Sequence, residues 1–442
     1  MSSGSITTTK ISSATIPNRP ISIESIEDHQ YHNSFLAMVE RNQIPLSRSL
    51  LIVLYLAHLL NHNTITPYTS KFIHIQNCVG IDEVNGKSIY DIDINDVYFV
   101  IHSLVIVTFL RSFLMKWCFE PFASIFCHIH SKKAKTRFAE QSWSFVYYSI
   151  SFIYGVILYL DSPYYNNLDQ VYINWPNHYM SWEFKTYYLV SMGFWLQQIF
   201  VLNVEKPRKD HYQMFSHHII TCLLIIGSYY YYYFRIGHLI LMIMDSVDIF
   251  LAAAKMLKYA GFSNACDAMF LLFLVSWIVL RHGVYNYIFY HAWYKSVDLM
   301  KNGQCVEGLN QKRCWTPVVI DAFLGLLGGL QIITCIWMYL ILKVAYKVVT
   351  GSGAEDVRSD EDDTDIEIDN ENDVDDIEVD IEVEEEEEEE LEEIQQPIIL
   401  EKKEEEVVLE IEEDKYSFER DSFSSSSEST LDEKKDIRKR KA

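Results

Sequence analysis

Two adjacent histidines and two aspartates lie inside stretches that are apolar enough to cross a membrane. His217 and His218 stand near the start of one stretch, and Asp245 and Asp248 lie within the next. A polar side chain in such surroundings is costly unless it is paired or used. An imidazole can act as a general base or a covalent nucleophile, and a carboxylate can orient it or bind an amine. We therefore expect these four residues to be catalytic.

Apolar windows of the length that a bilayer demands position these residues. They cover residues 49–65, 97–117, 143–160, 186–203, 212–234, 237–255, 267–290 and 318–347. This pattern predicts an all-α polytopic membrane protein with about eight transmembrane helices. The fifth and sixth windows hold the histidines and the aspartates. Only a few residues, around Arg235–Gly237, separate these two windows, so we expect a helical hairpin.

Lysine and arginine concentrate in alternate loops, which predicts the orientation of the chain. They precede the first window and follow the second, the fourth and the sixth. The positive-inside rule then places these loops and both termini in the cytosol, and loops 66–96, 161–185 and 291–317 on the opposite side. The first forty residues lack the apolar core of a cleavable signal peptide.

The end of the chain has a different composition. The net charge of the whole sequence is -24, and a long acidic segment follows the last window. Such a segment cannot bury a core, so residues 351–442 are predicted to be a disordered cytosolic tail. A purely solvated tail and a regulatory tail both fit this composition. Acid-flanked serines are candidate phosphorylation sites, namely Ser359, Ser424, Ser425, Ser426, Ser427 and Ser429.

Two of the eight cysteines, Cys305 and Cys314, share a loop predicted to face the lumen. A disulfide can persist in an oxidising compartment, so both a bridge and two free thiols are compatible with the sequence. The closing RKRKA loosely resembles a retrieval signal of the endoplasmic reticulum.

The segment Arg208–Lys255 resembles the Lag motif of ceramide synthases, the acyl-CoA-dependent N-acyltransferases of sphingoid bases. The matching residues are Arg208, Lys209, Asp210, Met214, His217, His218, Thr221, Ser228, Tyr229, Arg235, Gly237, Asp245, Asp248, Leu251 and Lys255. Upstream, a second set is similar to the opening of a TLC domain, namely Lys135, Arg137, Phe138, Glu140 and Trp143. The chain departs from the motif at Tyr232, where members usually have Asn or His.

The resemblance implies a domain organisation. A polar cytosolic N-terminus covers residues 1–45, and two helices with their loops cover 46–130. A TLC domain of six helices covers 131–350, with the Lag motif at 208–255. The resemblance also implies substrate-binding residues, namely Arg208, Lys209, Asp210, Ser228, Tyr229, Arg235 and Lys255.

The resemblance further implies an enzyme of the endoplasmic reticulum membrane that makes ceramide from a fatty acyl-CoA and a sphingoid base. The acyl-CoA is a co-substrate, and no cofactor is expected. Membrane lipid is the expected surrounding, whereas nucleic acid is not an expected partner. Whether the protein pairs with a second ceramide synthase chain, or with a small accessory membrane subunit, remains open. We favour His217 as acyl acceptor with His218 as proton shuttle; a general-base role for His217 is the alternative.

Three other interpretations compete with this one. Another membrane acyltransferase could use a His-Asp arrangement on a different acceptor, which only substrate assays exclude. Membrane enzymes with two irons need repeated histidine boxes, and Met214 occupies the position that would complete an HxxHH box. We therefore predict no metal. A non-enzymatic TLC-domain protein, either translocon-associated or lipid-sensing, would need neither the histidines nor the aspartates.

The geometry of the hairpin raises a difficulty. His218 lies 19 residues before Gly237, whereas Asp248 lies 11 residues after it. Straight helices would leave these side chains about 12 Å apart in depth, at a rise of 1.5 Å per residue. We expect a tilt, a kink or the substrate to bridge this gap. Acyl selectivity is expected at the opposite, luminal end, including loop 291–317.

Overall fold

The computed structural model describes residues 38–39, 41–82, 86–205, 210–301 and 316–350. Several predicted features lie outside these residues: Arg208, Lys209, the pair Cys305 and Cys314, the candidate phosphorylation sites and the acidic tail. Within the described ranges the helices are α1 (Gln43–Leu59), α2 (Thr66–Ile73), α3 (Asp96–Leu114), α4 (Glu120–Ile125), α5 (Lys132–Leu160), α6 (Trp182–Val204), α7 (His211–Tyr230), α8 (Phe234–Tyr259), α9 (Ser263–Ser276), α10 (Tyr285–Met300) and α11 (Pro317–Val349).

A helix lies over each of the eight apolar windows. Two of them continue through π-helical segments, Met115–Phe119 between α3 and α4, and Trp277–Val284 between α9 and α10. In the part of the chain that the structure describes, five helical stretches are long and apolar enough to cross a membrane, namely Asp96–Ile125, Lys132–Leu160, Phe234–Tyr259, Ser263–Met300 and Pro317–Val348. The prediction of a helical, polytopic membrane protein is therefore confirmed.

The prediction of an all-α fold is wrong in one detail, because the chain forms a small antiparallel sheet. Its strands are β1 (Cys78–Ile81), β2 (Ser88–Tyr90) and β3 (Met180–Ser181), in the order β1-β2-β3. The third strand comes from a loop that is distant in sequence from the first two. Strands this short carry no alternating pattern, so only their pairing reveals them.

A buried charge cluster beside this sheet joins three helices. The ammonium group of Lys185 on α6 is 2.8 Å from the Asp96 carboxylate at the start of α3. It also donates hydrogen bonds to the carbonyl oxygens of Gln76 and Asp91. Tyr229 on α7 donates its hydroxyl to Asp96 at 2.7 Å. Lys185 is fully buried, and its partners offset the cost of burying its charge.

The helical hairpin of α7 and α8 is present, but its turn lies at Tyr231–Tyr233 instead of Arg235–Gly237. Tyr232 has a φ of 61°, in the left-handed region that Asn and His adopt more readily than Tyr. Gly237 lies inside α8 and serves close packing. A β-carbon there would overlap the Tyr188 hydroxyl and come within 2.9 Å of the Ser228 hydroxyl.

Helix α8 occupies the centre of the bundle. It packs against α5 on one side and α9 on another, and α7 continues into it through the hairpin. In its apolar window, 61% of the residues are buried inside the protein. Both predicted catalytic aspartates lie on this helix, so their surroundings are set by protein side chains and not by lipid.

Candidate active site

A long cavity lies between α6, α7, α8, α10 and α11. His217, Asp248 and Arg281 line one end, here called the histidine end. Tyr172 and Met300 line the opposite end, which lies beside the turn between α7 and α8 and is called the hairpin end. The empty space, counted out to the open mouth, is about 940 Å³. Its wall is mostly apolar, so it suits a hydrocarbon chain with a polar group at one terminus.

The two histidines are held by tryptophan rings. The ring centroids of His217 and Trp337 are 5.0 Å apart, and those of His218 and Trp195 are 5.5 Å apart. Nδ1 of each histidine is buried without a hydrogen-bond partner among the described residues. His217 lines the cavity, whereas His218 is buried beside it. Adjacent residues on a helix point about 100° apart, which separates the two rings in this way.

The two aspartates have different partners. Asp248 accepts a hydrogen bond of 2.7 Å from Arg281 and lines the cavity. Asp245 accepts one of 2.6 Å from Ser151 on α5 and faces away from the cavity. The two carboxylates therefore point to different surroundings although they lie three residues apart on one helix. Residues three apart differ by about 60° around a helix, which is enough to direct them to different neighbours.

Arg281 is a residue of this site that the sequence analysis missed. Besides Asp248, it donates a hydrogen bond of 3.1 Å to the Met244 carbonyl, and its guanidinium lies 4.2 Å from the Trp277 ring centroid. Nε of Arg281 is buried without a partner in the described part of the chain. The signal was present in the sequence, because a cation inside the apolar window 267–290 is as costly as an acid.

His217 on α7 and Asp248 on α8 both line the histidine end of the cavity. Neither aspartate forms a hydrogen bond with either histidine among the described residues, because Ser151 and Arg281 engage the carboxylates. The direct contact between carboxylate and imidazole that the residue types suggested is absent among the described residues; Asp248 on α8 instead pairs with Arg281 in the segment between α9 and α10. Arg281 lies in a π-helical segment, a feature that often occurs at functional sites.

Thr221 is a second residue whose surroundings indicate a role. It follows His217 by one helical turn, so the two side chains share a face of α7. Its hydroxyl is buried without a hydrogen-bond partner in the described ranges, and the residue lines the cavity. A buried hydroxyl without a partner is unfavourable. The histidine end therefore offers two unused donors, Thr221 and Nε of Arg281.

The predicted substrate-binding residues occupy several places. Ser228 lines the cavity and shares a hydrogen bond of 2.5 Å with Tyr188. Tyr229 binds Asp96, as described above, and Arg235 donates to the Gln170 carbonyl at 2.8 Å. Both of these contacts lie near the hairpin turn and outside the cavity. Asp210 precedes α7 as its N-cap residue, and Lys255 lies in the last turns of α8.

A loop and α10 meet at the hairpin end of the cavity. His291 contacts the Asp169 carboxylate at 2.7 Å, and its ring stacks on Tyr172 with a centroid distance of 5.8 Å. The hydrogen bond from His291 lowers the pKa of the Asp169 carboxyl. Ser296 and Met300, further along α10, line this end. The contact thus fixes the loop that carries Tyr172 against α10.

Among the described residues, no group of three or more His, Cys, Asp or Glu side chains is arranged to hold a metal ion. The six cysteines within the described ranges are free thiols.

Comparisons with known proteins agree with this architecture. The family model of the TLC domain matches residues 137–343. The chain is 37% identical over 308 residues to the sphingosine N-acyltransferase-like protein ALT7 of Alternaria alternata, covering 64% of this chain and 70% of that protein. It is 36% identical over 299 residues to the sphingosine N-acyltransferase lag1 of Schizosaccharomyces pombe, covering 68% of this chain and 74% of that protein.

A third relative is the ceramide synthase LAG1 of Saccharomyces cerevisiae. It is 31% identical over 318 residues, covering 71% of this chain and 75% of that protein. The TLC-domain match, residues 137–343, extends over the helices that build the cavity and its histidine end. The chain belongs to the TLC-domain family that includes these sphingosine N-acyltransferases and ceramide synthases.

Proposed function

We propose that this protein is a ceramide synthase, which transfers a fatty acyl group from acyl-CoA to the amine of a sphingoid base. The observation that carries the proposal is the cavity, which joins a long apolar space to a polar end containing His217, Asp248 and Arg281. An acyl chain fits the apolar space. Its carbonyl carbon then lies at the end where an imidazole is available.

The proposed reaction has two steps. First, an imidazole nitrogen of His217 attacks the thioester carbonyl and the carbon–sulfur bond breaks; the acylated ring gives up its proton to the sulfur, so CoA leaves as a thiol. Second, the sphingoid amine attacks the acyl-imidazole and gives a proton to His218, and His218 passes that proton to the leaving nitrogen of His217 as the amide forms. Direct attack of the amine, with His217 as general base, is the alternative. Acyl-CoA alone leaves an acyl adduct on the protein only in the first route.

The unused donors of the histidine end fit the negative charge that develops on the carbonyl oxygen in both steps. Thr221 and Nε of Arg281 are free to donate to it, because neither has a partner among the described residues. Donors already in place at an oxyanion contribute strongly to catalysis in an environment without water. Asp248 keeps the Arg281 side chain in position and is near enough to the cavity to bind the sphingoid amine.

The same cavity accounts for the choice of acyl chain. The chain extends from His217 toward Tyr172, Ser296 and Met300, so the hairpin end limits its length. In this proposal all eight apolar helices cross the membrane of the endoplasmic reticulum. The histidine end lies beneath the cytosolic face with both termini, where water-soluble acyl-CoA arrives.

A substrate panel tests the function. The purified protein is incubated with acyl-CoAs of graded length and with several sphingoid bases, and the products are identified by mass spectrometry. The expected result is N-acylated sphingoid base together with an equal amount of free CoA. If properly folded protein forms no amide from any pair, the non-enzymatic reading of the TLC domain replaces this proposal.

A further inference from the structure

A second pocket is formed by residues distant in sequence from the candidate catalytic residues. It lies where the π-helical segment Met115–Phe119 meets the start of α5. Its empty space, counted out to the open mouth, is about 600 Å³, and it is lined by residues from these two elements and from α4. The lining residues are Lys116, Glu120, Pro121, Ser124, Lys132, Lys135 and Thr136. Its wall is much more polar than that of the cavity that His217 lines, so it does not suit a hydrocarbon chain.

The charge of this pocket is positive. Lys116, Lys132 and Lys135 contribute three ammonium groups, and no carboxylate among the described residues forms a salt bridge with any of them. Glu120 is the one acidic residue in the described lining, and it lies 3.5 Å from the Thr136 hydroxyl. Three cations around one concave space, with hydroxyl groups beside them, attract a multiply charged anion.

An apolar surface borders the pocket. Trp117 is 65% exposed, Ile125 64% and Phe126 69%; Trp117 and Ile125 lie on elements that form the pocket wall, and Phe126 directly follows α4. Exposed aromatic side chains next to basic ones are typical of the boundary between lipid headgroups and acyl chains. The pocket lies where two membrane-spanning stretches, Asp96–Ile125 and Lys132–Leu160, face each other at their basic ends. Cytosolic leaflets carry the anionic lipids of the cell.

We propose that this pocket binds the phosphate headgroup of an anionic membrane lipid, whose acyl chains lie against Trp117, Ile125 and Phe126. The three lysines hold the phosphate, and the aromatic and aliphatic surface holds the chains. Basic residues between two membrane spans also orient the chain in the membrane, but that effect depends only on how many there are. A binding site requires their convergence on one space, and Lys133 is excluded from that convergence although it neighbours Lys132.

The test uses the purified full-length chain with defined lipids. Native mass spectrometry measures retention of added phosphatidic acid and phosphatidylinositol 4-phosphate against phosphatidylcholine, with glycerol 3-phosphate as a headgroup that has no acyl chains. The expected result is preferential retention of both anionic lipids. The triple variant Lys116→Gln, Lys132→Gln, Lys135→Gln should weaken that binding at least about tenfold, since each basic residue contributes separately near an anionic surface.

Two single variants serve as controls. Lys133→Gln removes the same charge from the same helical turn but outside the pocket, so it should weaken lipid binding clearly less than Lys132→Gln does. Glu120→Gln removes the acid of the lining and should strengthen binding. The thermal unfolding of the triple variant, in phosphatidylcholine alone, shows that it remains folded.

Three results would overturn the proposal. The triple variant could retain anionic lipid as well as the unchanged protein does. Lys133→Gln could weaken binding as much as a pocket substitution, which would indicate general surface charge. Glycerol 3-phosphate could bind as tightly as the lipids, which would indicate a site for a soluble anion. Because the readout is lipid retention, its outcome is independent of the proposed N-acyl transfer.

Discussion

At the scale of single residues, the candidate chemistry lies in polar groups buried without partners. The cost of burying such groups in apolar windows makes His217 and Asp248 candidates from the sequence alone. The same rule applied to window 267–290 would have identified Arg281. Thr221 gives no such signal, since a hydroxyl within a helix usually donates to its own backbone. Only the cavity reveals that its oxygen has no partner among the described residues.

The ion pair of Asp248 and Arg281 gives the first prediction. Asp248→Asn or Arg281→Met alone leaves a buried charge unpaired, which costs about 3–5 kcal/mol in typical cases. Each variant should unfold at a lower temperature and lose activity about 100-fold or more, because an orienting or oxyanion group is removed. The double variant removes both charges. It should recover much of the thermal stability but none of the activity.

Thermal unfolding and the turnover number, measured on the same preparations, check this prediction. Asp321→Asn, an exposed acid on α11, is the control for loss of a carboxylate. Recovery of activity in the double variant would mean that the pair is only structural.

At the scale of the elements, hydrophobic windows predicted where helices lie because burial in lipid or protein requires continuous apolar sequence. They failed at the hairpin turn, since Gly237 was interpreted as a turn residue. The structure assigns it to close packing of α8 against Tyr188. They also failed at the sheet, where β3 pairs with a strand about ninety residues earlier. Pairing between strands this distant in sequence produces no pattern within a window of neighbouring residues.

The contact at Gly237 gives the second prediction. Gly237→Ala places a methyl group against the Tyr188 hydroxyl, and such overpacking costs about 1–3 kcal/mol. Removing that hydroxyl in the double variant Gly237→Ala, Tyr188→Phe should restore part of the lost stability. Gly328→Ala on α11 is the control: an added methyl group there meets no other described element within 4 Å, so the change should be neutral or slightly stabilising. Thermal unfolding measures all three, and the absence of any rescue would contradict the packing account.

The hairpin end of the cavity gives the third prediction. Ser296 is buried and lines the cavity, so Ser296→Phe should fill this end and shift the products toward shorter acyl chains. Val297→Phe adds an aromatic ring at the next position, which is 38% exposed and outside the cavity, so product lengths should not change. Competition among acyl-CoAs of graded length measures the distribution. An unchanged distribution in Ser296→Phe would remove the proposed limit on chain length.

At the scale of the whole molecule, the sequence divides into a membrane body and an acidic end. Residues 354–442 lie outside the described residues, and their prediction rests on composition. A segment with this charge density cannot enter the bilayer or complete its core. Deleting it should therefore leave N-acyl transfer largely intact, while changing regulation or location. Specific activity at matched expression checks this, and a folded, correctly located but inactive truncation would show that the tail belongs to the catalytic machinery.

The most direct test of the central claim compares two histidines of α7 in one assay. His217 lines the cavity, whereas His211 stacks on Phe215 and does not line it. Purified His217→Ala and His211→Ala are incubated with acyl-CoA and a sphingoid base, and the amide product is quantified by mass spectrometry. The account predicts that His217→Ala makes no ceramide while remaining folded, and that His211→Ala retains most activity. Ceramide formation by His217→Ala at the rate of the unchanged protein would contradict it.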